Sequence, residues 1–461
     1  MGPLLTRQVA ALDQQLATVW AGPRPSTVQL GGITYAKTWS AESTGSGLRI
    51  ASQQSLAGAR LLLAGGPAAP AVGLWQSGLL RGDGASQVVI GSGLLAGAVI
   101  TATGRFESGG GADALFGHGV GIGVVNQGLV DLGPGSDRLF GTALFTGVVN
   151  TGRLRLDGDV LPTSTAPQDD ELLGLGAFTG IANSGRIDAS IGTDRIIGAA
   201  AGTGVLNGVD ARISLGEGRD LLAGGGLGLA AKVLQPGGRA RAGLPDEVLR
   251  QLGNVLGGYA AEPAAEGGIV NHGSIDSGDG GDIVYAIGSM AAVTPETTAI
   301  RAFTAQFGPH DGVALVNAAG AELKTGSGDD LVLALGHSTA PGPRPAAVAN
   351  DGLIDLGDGD DAVLGFGSGR FDFSTGRDSL GRPAGDYRIR RRERSLEVTR
   401  NGDTAVMRTW NLEAINGVGV GSLLNRPDGA FTVGSGTGQV PLPTGASFDI
   451  AAGMAEFTAL L

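Results

Sequence analysis

The chain has no cysteine, and only 5% of its 461 residues are aromatic. The first lack excludes disulfides, thiolate metal sites and cysteine nucleophiles. The second means that a core must be assembled from Val, Ile, Leu and Ala, which suits thin, regularly stacked coils. Histidine is scarce as well. His118, His272, His310 and His337 show neither an HExxH pattern nor any paired spacing, and they read as solvated corner residues. No run of about 18 apolar residues occurs, and residues 1 to 25 hold no continuous apolar stretch of the signal-peptide kind. The expectation is a soluble chain with no membrane span that is not an obvious Sec export substrate. The formal net charge of -12 argues against nucleic acid or an anionic membrane as the main partner and is compatible with cations.

Glycine is present in excess, at 85 residues, more than twice its usual share of roughly 7%. There is no collagen period, and 42% hydrophobic residues is too many for a disordered tail. The glycines fall into a pattern. "VANDGLIDLGDGDDAVLGFGSG" (348 to 369) carries five aspartates, Asp351, Asp355, Asp358, Asp360 and Asp361, among its glycines. A Gly-x-Gly-x-Asp turn recurs at Gly109 to Asp113, Gly133 to Asp137, Gly216 to Asp220, Gly278 to Asp282, Gly326 to Asp330 and Gly357 to Asp361, with worn copies at Gly82 to Ser86 and Ser190 to Asp194. Apolar residues and another glycine follow most copies, as in "ALFG", "RLFG", "RIIG" and "AVLG". An apolar-apolar-Asn-x-Gly motif precedes most of them, at Asn126, Asn150, Asn183, Asn271 and Asn350, with variants at Asn207 and Asn317.

The spacing makes this a structural repeat. Asp113 to Asp137, Asn126 to Asn150 and Asn183 to Asn207 are each 24 residues apart. A unit of that size forms one coil of a solenoid, whose interior is buried only against its neighbours. The expected fold is all-β: a right-handed parallel β-solenoid, β-helix or β-roll-like, of about 24 residues per coil. A short N-terminal helix and helical insertions are expected with it. Glycines at the corners take positive φ, and the Asn sits either at a left-handed corner or in a stacked side-chain ladder. The domain plan is an N-terminal helix and cap over 1–65 and the solenoid over 66–370, with insertions at 227–265 and 290–311. A C-terminal hairpin cap over 371–425 and a tail over 426–461 follow. Residues 4 to 20 and 245 to 256 have helical apolar spacing.

Crowded acids need water, a cation or a turn that fans them apart. A glycine turn closed by Asp offers carbonyl and carboxylate oxygens to a hard cation such as calcium. If turns stack, Asp113 lies near Asp137 and Asp194 near Asp220. The last three turns, ending at Asp282, Asp330 and Asp361, add Asp279, Asp329, Asp358 and Asp360 and are the richest candidates. The metal-free alternative is that the Asp and Gly are corner residues making local hydrogen bonds.

"GSGDDLVLA" and "GDGDDAVLG" resemble the repeats-in-toxin (RTX), or hemolysin-type calcium-binding, motif Gly-Gly-x-Gly-x-Asp-x-apolar-x. The preceding Asn-x-Gly-x-Ile-Asp is similar to a long-repeat form in cyanobacterial and marine bacterial surface proteins. Residues 365 to 417 resemble the segment that often follows such repeats. The resemblance spans roughly residues 75 to 420. It implies calcium held by glycine carbonyls and by the candidate ligands Asp113, Asp137, Asp194, Asp220, Asp279, Asp282, Asp329, Asp330, Asp358, Asp360 and Asp361. It also implies type I secretion through an uncleaved C-terminal signal, for which "TGASFDIAAGMAEFTALL" is the candidate. The departure is the period, since tight family repeats recur every nine residues.

The function expected on this basis is a secreted or cell-surface, calcium-binding solenoid with a structural or adhesive role. Its partners would be calcium and, beyond it, cell-surface polysaccharide or other copies of itself, and not nucleic acid. The alternatives are a carbohydrate-active β-helix enzyme of lyase or epimerase type and a metal-free filament subunit. "GHSTA" (336 to 340) lacks the final glycine of a hydrolase elbow and reads as a loop serine. "RIRRRER" (388 to 394) alternates about Tyr387 and Ile389 and reads as an exposed strand face.

Overall fold

A computed structural model describes residues 72–433 except 83, 158–167, 201, 226–266, 291–312, 339–346 and 383–384, together with short strands at 27–30, 33–36, 48–50, 55–57, 61–64, 439–441 and 447–449. The expected helices at 4 to 20 and 245 to 256, and nearly all of the two insertions, lie outside the described residues.

Each coil contributes three short strands. In one coil these are β1 (Ala114–Gly119), β2 (Ile122–Asn126) and β3 (Leu129–Asp131). In the next they are β4 (Arg138–Ala143), β5 (Thr146–Asn150) and β6 (Arg153–Arg155). Every strand pairs in parallel with its counterpart, in register and one repeat on: Leu115 with Leu139, Asn126 with Asn150, Val130 with Leu154. The β1 and β4 positions stack into one parallel sheet, and the other two strands of every coil share a second. The fold is a parallel β-solenoid. Register is held because a one-residue slip would move each inward residue to the opposite face.

The core is a set of columns running along the stack. Leu115, Leu139, Leu172, Ile196, Leu222, Val284 and Val332 form one, and Val124, Val148, Ile181, Val205 and Ile269 another; all are fully buried. In the sheet of β1 and β4 the residues of opposite facing, such as Phe116, Phe140 and Ile197, are buried too. Burial on both faces accounts for the near-continuous apolar runs of this strand. The glycine after each run has a packing reason. A Cβ on Gly117 would overlap the carbonyl of Gly123, where β1 and β2 approach backbone to backbone.

The corner between those strands is apolar and exposed in the N-terminal coils, with Leu94, Leu95 and Phe145 open to solvent. Phe145 stacks on Phe178 of the following coil, ring centroids 5.3 Å apart.

At the C-terminal end the parallel stack is closed by antiparallel strands. The last coil's β7 (Gly367–Asp372) pairs in parallel with β10 (Val406–Trp410). Strand β10 then pairs antiparallel with β9 (Ser395–Arg400), β9 with β8 (Gly385–Arg392), and β8 with β11 (Ala430–Val433). The cap therefore takes in Val433 as well as the expected hairpin, and it covers what would be an open strand edge. On β8, Tyr387 and Ile389 are buried while Arg388, Arg390, Arg391 and Arg392 are exposed. The basic run is an outer strand face, with Arg392 and Arg408 both paired to Glu397. Beneath it, the fully buried Arg382 donates to the Gly365 carbonyl and lies over the Phe366 ring.

Candidate functional site

Two columns of polar side chains run along the inside of the stack, and they contain the residues the repeat singles out. The first is the asparagine of the Asn-x-Gly motif. Asn126 Nδ2 donates to Asn150 Oδ1 at 2.9 Å, Asn150 to Asn183 at 2.8 Å, and Asn183 to Asn207 at 2.8 Å. The chain of amides continues through Asn271 and Asn317 to Asn350. Each Nδ2 also donates to a main-chain carbonyl of the following coil, such as Arg153 O for Asn126. Of the two roles open to the asparagine in the sequence, the ladder is the one adopted. None of these residues has positive φ.

The second column is the aspartate that closes each glycine turn. The main-chain N–H of Asp113 donates to Asp137 Oδ1 at 2.7 Å, and the N–H of Asp137 donates to Asp170 Oδ1 at 2.7 Å. The same bond joins Asp170 to Asp194, Asp194 to Asp220, Asp220 to Asp282, Asp282 to Asp330, Asp330 to Asp361 and Asp361 to Asp378. The N–H of Gln87 bonds Asp113 at one end, and the N–H of Asp378 bonds Glu413 Oε2 at the other. All nine aspartates are buried.

Seven of the eleven candidate ligands therefore fall in one column: Asp113, Asp137, Asp194, Asp220, Asp282, Asp330 and Asp361. The expected neighbours, Asp113 with Asp137 and Asp194 with Asp220, do meet. The other four lie outside it, and each bonds to the next coil. Asp279 accepts from the Ser327 N–H and hydroxyl, Asp329 from the Asp360 N–H, Asp358 from the Thr375 hydroxyl, and Asp360 from the Arg377 N–H and guanidinium. The sequence reading missed Asp170, Asp378 and Glu413. "QDDELLG" lacks the glycines of a turn, but its Asp-x-apolar-apolar-Gly matches "DRLFG", and that match was the available signal.

Six of the turn carbonyls are engaged in the same way. The carbonyls of Gly216, Gly326 and Gly357, each the first glycine of a turn, accept from the N–H groups of Asp279, Asp358 and Ser374 in the next coil. The carbonyls of Pro134, Ser327 and Asp358, each between the two glycines, accept from Gly111, Gly280 and Gly328 in the preceding coil. The glycines are required by this contact. Gly133 and Gly135 have φ of 81° and 156°, and a Cβ on either would overlap the carbonyl of Gly109 or Gly111 below it. The second turn glycine thus lies close against the carbonyl of the turn before.

Calcium takes six to eight oxygens. Here these six turn carbonyls are taken by N–H groups of neighbouring coils, and Oδ1 of each column aspartate is held by an N–H. What remains in the column is Oδ2, one atom per coil, which in Asp137, Asp170, Asp194, Asp220 and Asp361 is buried with no hydrogen-bond partner among the described residues. Among the described residues no three His, Asp or Glu side chains converge on a common point suited to a metal ion. The column by itself does not supply the six to eight oxygens of a calcium site of the kind the resemblance implies.

The electrostatics follow from burial. Stacked strands are about 4.8 Å apart, and two unit charges at that distance repel by on the order of 3 kcal/mol at an effective dielectric constant of about 20. A carboxylate in mid-column meets two such neighbours, and this outweighs the roughly 1 kcal/mol by which its N–H bond strengthens when it is charged. Burial first, and then the neighbouring acids, push these carboxyls up. Asp137 rises to about 9, Asp170 to about 10, Asp194 to about 8 and Asp220 to about 7. Asp282 rises to about 6, Asp330 to about 8 and Asp361 to about 7. The N–H bond each accepts opposes the rise without cancelling it.

"GHSTA" contains no elbow, since Gly336, His337 and Ser338 fall within the strand Leu331–Ser338. No helix among the described residues is long and apolar enough to cross a membrane. A scan against protein-family models matches nothing, and no curated protein matches the chain.

Proposed function

We propose that the chain is a structural or adhesive β-solenoid of the cell exterior, either secreted or held at the cell surface. The observation that carries this reading is how its inward polar side chains are used. Asn126 to Asn350 and Asp113 to Asp378 are spent on coil-to-coil bonds, so the repeat builds a self-supporting rod. The Gly-x-Gly-x-Asp turns resemble repeats of secreted and surface proteins, which supports the reading that such a rod works outside the cell. The exposed corner of Leu94, Leu95 and Phe145 supplies the apolar contact an adhesive role needs.

The test is made on producing cells, with wild type and with a Leu94→Ser, Leu95→Ser, Phe145→Ser variant. Antibody should label intact cells or the medium equally for both, and the variant should attach less to a polysaccharide-coated surface. Protein found only in the cytosol would overturn the location. Equal attachment would overturn the role of the corner.

A further inference from the structure

The column Asp137–Asp170–Asp194–Asp220 has a geometry that an ionised, unpaired carboxylate cannot sustain. Each Oδ1 is fixed by one N–H, and each Oδ2 is buried without a partner among the described residues. Among the described residues, the charged groups that act most on the four are the carboxyls of Asp113, Asp157, Asp169 and Asp282, together with the Arg138 guanidinium acting on Asp137. Acids therefore surround acids, and Arg138, which acts on Asp137 at one end, does not compensate the rest. A metal would meet only one free oxygen per coil. A proton removes the charge: the acid group keeps Oδ1 as an acceptor, and a neutral Oδ2–H without a partner among the described residues costs less than a buried, unpaired charge.

We propose that these four carboxyls form a proton-bearing, metal-independent ladder at neutral pH, an acid counterpart to the amide ladder of the same coils. The inference concerns the column alone and holds whatever the solenoid attaches to. It departs from the calcium-loaded turn implied by the RTX resemblance. The raised titration of all four groups agrees with it, most strongly at Asp170.

The amide is the neutral isostere of the acid, so substitution discriminates between the two states. The full chain is prepared as wild type, Asp170→Asn with Asp194→Asn, and Asp170→Ala with Asp194→Ala. Each is melted at pH 7.5 in chelator and in excess calcium. The asparagine pair should melt within about 4 °C of wild type, and the alanine pair, which loses two buried acceptors, roughly 5 to 15 °C lower. Calcium should leave all three unchanged. An asparagine pair that melts as low as the alanine pair would show that the column needs carboxylate charge. A wild type stabilised by calcium while the asparagine pair is not would show that the column holds metal. Should the asparagine pair fail to fold, infrared titration of the wild-type carboxyls decides the matter. A protonated-acid band that persists at pH 7 supports the ladder, and its disappearance by pH 5 overturns it.

Discussion

The main-chain N–H of Asp170 donates to Oδ1 of Asp194, one coil further on, at 2.8 Å. These two residues come from turns that share almost no sequence, "PQDD" and "IGTD", yet they occupy one position in the stack. The bond satisfies a buried N–H that the corner would otherwise leave orphaned. Neither residue needs a ligand to explain its place.

Asn183 tests the companion ladder. Its Nδ2 donates to Asn207 Oδ1 and to the Arg212 carbonyl, and its Oδ1 accepts from Asn150 Nδ2 at 2.8 Å. Asn183→Ala removes these three bonds and the one its Oδ1 accepts from the Gly185 N–H, and should cost roughly 2 to 5 kcal/mol in equilibrium denaturation. Ser184→Ala, at an exposed neighbour, should cost under about 0.5 kcal/mol. Equal effects at the two sites would contradict the load assigned to the ladder.

Glycine content alone does not mark the turns that matter. Gly135 has φ of 156° and lies against the Gly111 carbonyl, whereas a Cβ on Gly84 meets nothing within 4 Å. Gly135→Ala should lower the melting temperature sharply or abolish cooperative unfolding. Gly84→Ala should shift it by less than about 2 °C. A tolerated Gly135→Ala would mean that coils are not in contact through this turn.

The outer acids of the last turns should matter little to stability. Asp360 is ion-paired with Arg377, whose side chain is 88% exposed, and an exposed pair of this kind contributes about 0 to 1 kcal/mol. Asp360→Ala should cost no more than that, whereas Asp361→Ala, one residue on and buried, should cost about 1 to 3 kcal/mol. Denaturant midpoints of the two variants check the ranking. The reverse order would return importance to the acid-rich surface of these turns.

The period, the corners and the parallel stack were legible because they depend on residues with few substitutes. Gly133 must lack a Cβ, Asn150 must both donate and accept along the stack, and Leu139 must face inward at each repeat. Asp170 was hard to read because its turn has no glycine and it lies 33 residues after Asp137 rather than 24. Glu413 ends the column with a different acid. The candidate site was half legible: the sequence names the acids that meet but not the direction of the turn carbonyls. The carbonyl of Gly326 points along the stack to the Asp358 N–H, and only the folded backbone shows that this oxygen is taken.

The most direct test of the account is the stability of the wild-type solenoid in chelator, measured by denaturant unfolding from pH 5 to pH 9. Asp137, Asp194, Asp220, Asp330 and Asp361 titrate at about 7 to 9 in the folded chain, against about 3.9 when unfolded. The folded state then holds more protons across this window, so stability falls as pH rises. Their contribution is complete below about pH 4 and is lost as pH passes through the folded values. Surface acids such as Glu107, held down by Arg81 and Arg105 although burial opposes it, act in the opposite sense but only below this window. The account predicts a steady loss of stability from pH 5 to pH 9, shallower in the Asp170→Asn, Asp194→Asn variant. Stability that is flat or rises with pH, or a chain that folds only when calcium is added, would contradict it.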